Sequence, residues 1–371
     1  MVLPNLAIGA QHGRLVVMCL ESGETLLDVK STHSATSIAA CAFSPDGTWL
    51  ATAGGDRSWA RWDFHQDSER PRLHVKGHDG KGRCICTTRS SVEKDCPVQG
   101  HTGPLMTIAA CTDKVATGGN DGIVCVWCAE TGALKYRLEH THVVAAASFS
   151  PNGRFLGSSD ASGKWKVSDA ASGNPIREGK FDHAAVKSLR FLDTDVDKGQ
   201  RLFMIISEGL WSFDTGDQTE HLDHDLLPPR HEMDAAILLG SSVAVGLKRV
   251  FPTGVVASTF VRHRRELLIR GDRMSSLAPS PNGRHFASGS ADGTCKVWDS
   301  DGCLLRNFDM GPSRVTSVAM GKGFGHEDML LAFAMGTHSR LSAAPECKIN
   351  TIGGADFADI LNTIGKMVKG T

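Results

Sequence analysis

A tetrapeptide of the form Ser-Pro-Asp/Asn-Gly occurs three times in this chain of 371 residues, and its spacing constrains the fold more than any other feature. The copies begin at Ser44, Ser150 and Ser280. The second and third copies are 130 residues apart, which equals three repeats of about 43 residues. The first and second are 106 residues apart, which equals two such repeats and about 20 further residues. A fixed period of this length predicts a repeat architecture.

A second marker gives the same period. Trp-Asp pairs begin at Trp62 and Trp298, and Trp127 stands at the equivalent place before a cysteine. Trp127 and Trp298 are 171 residues apart, or four repeats of about 43 residues. Trp62 and Trp127 are 65 residues apart, or one repeat and about 22 further residues. The two markers therefore agree on the period and on one insertion between Trp62 and Trp127.

Each repeat contains four short apolar runs separated by turn residues. In the cleanest copy the runs are 274–280, 285–290, 294–299 and 303–308, and Pro-Asn-Gly, Ala-Asp-Gly and Ser-Asp-Gly separate them. Apolar runs bounded by Asn-Gly and Asp-Gly predict strands joined by tight hairpins. Four strands in about 43 residues are typical of one blade of a β-propeller. The fold class expected is therefore all-β.

On these motifs the sequence resembles the WD40-repeat β-propeller family over roughly residues 6–345. The resemblance implies a propeller domain at 1–345 with an insertion loop at about 73–99, followed by a tail at 346–371. Seven blades are expected and eight remain open, because either 315–320 or 348–352 could complete the ring with the N-terminal strands. In weaker copies the Trp-Asp position becomes Ser168-Asp169, Phe213-Asp214 and Phe251-Pro252.

The resemblance also implies a buried ladder of hydrogen bonds within each well-preserved blade. Its members would be His33, Thr52, Asp56 and Trp62 in one blade, His101, Thr117, Asp121 and Trp127 in the next, and Ser288, Asp292 and Trp298 in a later one. In that later blade Asp272 stands where the histidine belongs. A buried polar group must be paired, so these residues are interpreted as structural and not catalytic.

Two segments are rich in potential metal ligands. The insertion contains His74, His78, Cys84, Cys86 and Cys96, but its cysteines are too closely spaced for an ordinary zinc knuckle, and a surface loop is the simpler interpretation. The segment 221–234 contains the densest cluster of histidines and carboxylates, namely His221, Asp223, His224, Asp225, His231, Glu232 and Asp234. It is expected to be a solvated loop, and a metal-dependent active site is the alternative.

A local basic patch stands out in a chain whose formal net charge is −1. It comprises Arg262, Arg264 and Arg265, joined by Lys248, Arg249, Arg270 and Arg273. These side chains are expected to face solvent or a partner protein, and phosphoinositide or another anionic surface is the alternative ligand. The patch lacks interleaved aromatic residues, and the chain has no strong positive charge, so nucleic acid is not an expected partner.

The tail carries an amphipathic pattern. Phe357, Ile360, Leu361 and Ile364 recur at helical spacing, which predicts a helix at about 355–368. A helix of this length needs something to pack against. It is expected either to dock on the propeller or to bind a partner protein in a groove.

No phosphate-binding loop, nucleophile elbow or HExxH motif is present in the sequence, so no enzymatic activity, cofactor or metal is expected. No run of about 20 apolar residues predicts a transmembrane helix. Eleven cysteines without a signal peptide suggest a reducing, cytoplasmic location. The function expected is a non-enzymatic scaffold that binds other proteins as a subunit of a larger complex.

Overall fold

The structure is a computed structural model in which all regular structure of the described residues is β. The described ranges are 8–10, 14–20, 25–29, 32–33, 37–63, 71–77, 100–182, 186–193, 200–206, 209–216, 219–223, 232–239, 242–250, 256–262, 265–270, 274–281, 284–299, 303–309, 314–322 and 329–335. Within these ranges, no helix has the length and apolar character needed to cross a bilayer.

The strands follow one another along the chain in groups of four. The N-terminal strands are β1 (Ile8–Ala10), β2 (Leu15–Cys19) and β3 (Thr25–Val29). Sheet 1 contains β4 (Ile38–Phe43), β5 (Trp49–Gly54), β6 (Trp59–Asp63) and β7 (Leu73–Val75). Sheet 2 contains β8 (Leu105–Ala110), β9 (Lys114–Gly119), β10 (Ile123–Cys128) and β11 (Leu134–Glu139). Sheet 3 contains β12 (Val144–Phe149), β13 (Phe155–Asp160), β14 (Lys164–Asp169) and β15 (Pro175–Lys180).

The pattern continues through the second half of the chain. Sheet 4 contains β16 (Val186–Asp193), β17 (Gln200–Ile206), β18 (Gly209–Asp214) and β19 (Glu220–Asp223). Sheet 5 contains β20 (Glu232–Leu239), β21 (Ser242–Val250), β22 (Val256–Arg262) and β23 (Arg265–Arg270). Sheet 6 contains β24 (Met274–Pro279), β25 (His285–Ser290), β26 (Thr294–Asp299) and β27 (Leu304–Asp309). The last strands are β28 (Val315–Lys322) and β29 (Met329–Met335).

Both ends of the described chain meet in sheet 7. Strand β2 pairs antiparallel with β29, from Leu15 opposite Ala334 to Cys19 opposite Leu330. Strand β29 pairs in turn with β28, and β1 pairs with both β2 and β29. The described residues thus form seven four-stranded sheets, and sheet 7 combines N-terminal and C-terminal strands. The segment 315–320 lies in β28, whereas the alternative closing strand at 348–352 lies outside the described residues.

The first strands of the sheets form a ring. In sheets 1–6 the first strand is β4, β8, β12, β16, β20 or β24, and each lies beside the first strand of the next sheet. Strand β28 of sheet 7 lies beside both β24 and β4, which closes the ring. Each sheet therefore lies between two neighbouring sheets, as a propeller requires. This arrangement is the all-β propeller that the repeat predicts.

Aromatic side chains fill the space between adjacent sheets. The rings of Trp59 and Trp127, from sheets 1 and 2, have centroids 6.1 Å apart. Those of Trp165 and Trp211, from sheets 3 and 4, are 4.6 Å apart. Gly179 makes room for this second pair, because a Cβ atom there would lie 2.6 Å from Trp165 Cζ2.

Every first strand carries a register irregularity at the same place. The extra residue of this β-bulge falls near the start of the strand, opposite the end of the second strand. The bulged residues are Ala39, Met106, Ala145, Lys187, Asp234 and Ser275, and in sheet 7 the irregularity spans 316–317. The bulges place one residue of each sheet around the same end of the ring.

Three segments differ from their sequence interpretation. Residues 73–75 are the outermost strand of sheet 1 and not part of a loop, and 78–99 lie outside the described residues. The segment 221–234 is not one loop, because 221–223 end β19 and 232–234 begin β20. Phe251-Pro252 does not take the Trp-Asp position, because it falls between the second and third strands of sheet 5. Propensity alone could not show these boundaries, which depend on pairing between strands.

Replacement of Leu15 by alanine tests whether the N-terminal segment belongs to the closed ring. Leu15 is fully buried in a cluster with residues of sheets 1, 6 and 7, so we expect Leu15→Ala to lower the free energy of unfolding by about 2–5 kcal/mol. Leu26→Ala is the matched control, because Leu26 is 40% exposed and its loss should cost less than about 0.5 kcal/mol. Urea titration of both variants measures the difference, and equal small losses would contradict the closure.

Candidate functional site

A chain of hydrogen bonds crosses sheet 1 from its core to its loop end. His33 lies 3.0 Å from Thr52 Oγ1 through Nε2 and 3.1 Å from Asp56 Oδ1 through Nδ1. The indole of Trp62 donates to the same Thr52 oxygen at 3.0 Å. Since an ionised carboxylate only accepts, His33 donates from Nδ1, and its Nε2 accepts the hydroxyl proton of Thr52. The chain of donors therefore runs from Trp62 through Thr52 and His33 to Asp56.

Sheet 2 repeats this arrangement. His101 lies 2.8 Å from Thr117 Oγ1 through Nε2 and 3.0 Å from Asp121 Oδ2 through Nδ1. Trp127 donates to Thr117 Oγ1 at 2.8 Å. Asp121 also accepts the backbone N–H of Thr102 at 2.8 Å, which ties the loop before the first strand to the loop before the third. The structure thus brings together the eight residues expected in these two ladders.

The two ladder aspartates are held in their ionised form. Burial alone would raise their pKa, but the hydrogen bond and electrostatic interaction with the neighbouring histidine lower it. The resulting pKa is about 2 for both Asp56 and Asp121. Both carboxylates are therefore ionised near pH 7 and act as strong hydrogen-bond acceptors.

Sheet 3 contains a ladder that the motif search missed. His140 Nε2 lies 2.8 Å from Ser158 Oγ, and His140 Nδ1 lies 3.7 Å from Asp160 Oδ2. Burial lowers the pKa of His140 to about 4, so the ring is neutral. The sequence does contain a signal for this histidine. It lies four residues before the first strand of its sheet, as His101 does in sheet 2. The sequence markers do not show this ladder, because Ser168 replaces the marker tryptophan in this repeat.

Sheet 6 keeps the tryptophan end of its ladder. Trp298 donates to Ser288 Oγ at 2.9 Å. Asp292 accepts from the backbone N–H of Thr294 at 2.8 Å and from its hydroxyl at 2.7 Å. Asp272, which replaces the histidine in the sequence pattern, lies outside the described residues.

The bulges lie at the end of the ring that also carries the ladders, and the bulged residues of sheets 1, 2 and 3 are apolar. Met106 is 48% exposed and Ala145 is exposed, while Ala39 is half-buried. These three residues lie on consecutive sheets, and we call them the apolar arc. Exposed methionine on a regular scaffold is typical of adaptable binding surfaces.

Polar bulged residues behave differently. Ser275 Oγ donates to the carbonyl of Val315 in the next sheet, and Thr316 Oγ1 donates to the carbonyl of Ile38 at 2.8 Å. These hydroxyls connect neighbouring first strands. Methionine and alanine side chains at the bulge form no such bond, so the apolar arc is available for contact with another molecule.

The basic patch does not form one cluster along sheet 5. Arg262 at the end of β22 pairs with Arg265 at the start of β23. Arg249 and Arg270 both pair with Ala257. Along β22, Ala257 lies about 17 Å from Arg262. Arg264 lies outside the described residues, as do Arg273 and the tail residues Phe357, Ile360, Leu361 and Ile364.

Comparison with known proteins agrees with this geometry. The profile of the family described as "WD domain, G-beta repeat" matches residues 24–63, 94–128 and 259–299. The crystal structure of RRP9 WD40 repeats superposes with a TM-score of 0.60 at 14% identity, covering 80% of this chain and 94% of that one. A ring of four-stranded sheets with Trp–Ser/Thr–His ladders defines a WD40-type β-propeller. The chain contains WD40 repeats at the three matched segments and has the fold of a WD40 propeller.

Curated relatives match parts of the chain. The Nuclear distribution protein nudF of Aspergillus terreus is 29% identical over 113 residues, or 30% of this chain and 24% of that protein. The chain therefore matches about a quarter of the length of the first such relatives. The THO complex subunit 3 of Arabidopsis thaliana is 22% identical over 294 residues, or 77% of this chain and 72% of that protein.

Removal of the Thr52 hydroxyl tests the ladder of sheet 1. Thr52→Val leaves Trp62 Nε1 and His33 Nε2 buried without a partner, at a cost of about 1–3 kcal/mol for each group. Thr52→Ser keeps the hydroxyl and should restore most of the loss. Chemical denaturation of the three proteins measures both steps, and a valine variant as stable as the wild type would refute the assigned bonds.

The pKa of Asp121 predicts how stability changes in acid. Because its folded pKa is below the unfolded value of about 3.9, its contribution is complete above pH 4 and is lost as the pH falls towards 2. We expect the stability difference between wild type and Asp121→Asn to shrink by about 2 kcal/mol over that range. Denaturant titrations at each pH, with the exposed Asp182→Asn as control, test this, and a constant difference would contradict it.

Proposed function

We propose that this chain is a non-enzymatic scaffold that binds another protein on the ladder end of its ring, as a subunit of a multiprotein complex. The observation that carries the proposal is the apolar arc, in which Met106 is 48% exposed between Ala39 and Ala145. Apolar side chains surrounded by ordered loops favour a partner protein over a small polar substrate.

Three further observations support this function. By its printed name, THO complex subunit 3 belongs to a complex, and the Ribosome biogenesis protein YTM1 of Chaetomium thermophilum is 27% identical over 70% of this chain. WD40 propellers are typically non-enzymatic, in line with the absence of catalytic motifs from the sequence. The polar atoms of the ladders in sheets 1 and 2 bond to one another and are not presented to a substrate.

We further propose that the seven described sheets are the full set of blades. The contact of β28 with both β24 and β4 supports this count, because it leaves no gap in the ring of first strands. A cytoplasmic location stays a proposal from the cysteine content.

The basic residues and the tail offer secondary contact points. Arg262 and Arg265 pair directly with one another, and Arg264 stands between them in the sequence, so they stay together even though the wider patch divides. Their binding to a partner or to phosphoinositide remains a prediction, as does partner binding by the tail helix. The alternative of a metal-dependent enzyme at 221–234 gains no support from the division of that segment between two strands.

A charge introduced into the apolar arc tests the proposed surface. We expect Met106→Asp to abolish retention of specific partner proteins in affinity purification from the native source, because a carboxylate cannot be buried at an apolar interface without a partner. Stability should change by less than about 0.5 kcal/mol, since the side chain is exposed.

Ile176→Asp is the matched control, because Ile176 is 38% exposed on the outermost strand of sheet 3. Quantitative mass spectrometry should show a set of proteins lost only with Met106→Asp. Equal profiles for the two variants would contradict the assignment of the partner surface to the apolar arc.

A further inference from the structure

Sheet 1 differs from the other ladder-bearing sheets by a second histidine at its loop end. His74, on the outermost strand β7, pairs with Ala60 and directs Nε2 to Ser58 Oγ at 3.0 Å. The residues at the equivalent pairing position in sheets 2, 3 and 6 are Arg137, Glu178 and Asn307. The imidazole therefore belongs to sheet 1 specifically and is not part of the common ladder.

His74 completes a group of three metal-ligating side chains with His33 and Asp56. One ligand atom from each of these residues lies within 4.8 Å of the other two. The two imidazole rings have centroids 5.9 Å apart and meet edge to face. Among the described residues, this is the one such group of three or more.

The Ser58 hydroxyl marks the centre of the group. Its oxygen is 2.8 Å from His33 Nδ1, 2.6 Å from Asp56 Oδ1 and 3.0 Å from His74 Nε2. A single atom in contact with two imidazole nitrogens and one carboxylate oxygen occupies the position that a metal ion would take. In sheet 2 the equivalent residue is Ile123, which offers no such contact.

We propose that His33, Asp56 and His74 bind one divalent transition-metal ion, of which Zn²⁺ is the representative, at the position of the Ser58 hydroxyl. Two imidazoles and one carboxylate are the ligand set that such ions accept while keeping a fourth position open. Binding requires the serine side chain to rotate away and each histidine to carry its remaining proton on the other ring nitrogen.

The residues around the Ser58 hydroxyl can support a bound metal ion. With the metal on Nδ1, His33 carries its proton on Nε2 and donates it to Thr52 Oγ1, the outer hydrogen bond that metal-bound histidines usually make. Access is from the loop end, where His74 is half-buried and the Asp56 side chain is 10% exposed.

The test uses the full chain, freed of metal and titrated with Zn²⁺ and Co²⁺. We expect wild type to bind one equivalent that His74→Gln loses or binds more than about tenfold more weakly. Glutamine can still donate to Ser58 Oγ, so the fold should be kept, and melting in the absence of metal checks this. His142→Gln is the control, because His142 is an exposed imidazole at the same end of the ring.

Cobalt absorption separates this site from the cysteines of the chain. The His74-dependent equivalent should show no thiolate-to-metal charge-transfer band, whereas a cysteine site would show one. Ser58→Ala should lower the Kd for Zn²⁺, because it clears the position of the ion. Equal stoichiometry in wild type and His74→Gln, an equal loss in His142→Gln, a thiolate band on this equivalent, or weaker binding by Ser58→Ala would each overturn the proposal.

Discussion

A buried imidazole with a hydrogen-bond partner on each ring nitrogen determines how sheets 1 and 2 are built at their loop end. In sheet 2, His101 binds a hydroxyl of the second strand on one side and Asp121 of the following loop on the other. Since an unpaired polar group in the interior costs about 1–3 kcal/mol, both loops must adopt the geometry that satisfies the ring.

The ladder varies between sheets, and in sheet 3 the buried His140 Nδ1 has no hydrogen-bond partner. In sheet 3 the carboxylate beside the histidine is that of Asp160. Ser158 forms a hydrogen bond with His140 although this repeat has no marker tryptophan. Packing between sheets 3 and 4 then depends on Trp165 and Trp211, whose contact requires a glycine at 179. Hydrogen bonding and aromatic packing are thus partly interchangeable ways of fixing one sheet against the next.

The sequence markers predicted the sheets wherever a turn motif and a tryptophan accompany the strands, and they located the ladders of sheets 1 and 2. Strand β29 was missed because Met329–Met335 is an apolar run without either marker, and its role depends on pairing with a strand more than 300 residues away. The division of the basic patch depends on strand register, which residue spacing does not show. His74 was assigned to the insertion loop, because only the pairing of β7 with β6 places it beside His33.

Closure of the ring by its two ends has a consequence for synthesis. Strand β2 pairs with β29, and Cys19 and Leu330 are opposite one another although about 310 residues separate them. At about 5–20 residues per second, a ribosome needs roughly 15–60 s to make the second strand after the first. Throughout that interval β2 presents unpaired backbone groups and the buried side chains of Leu15 and Val17 to other chains. These surfaces are therefore open to association with other chains for the greater part of translation.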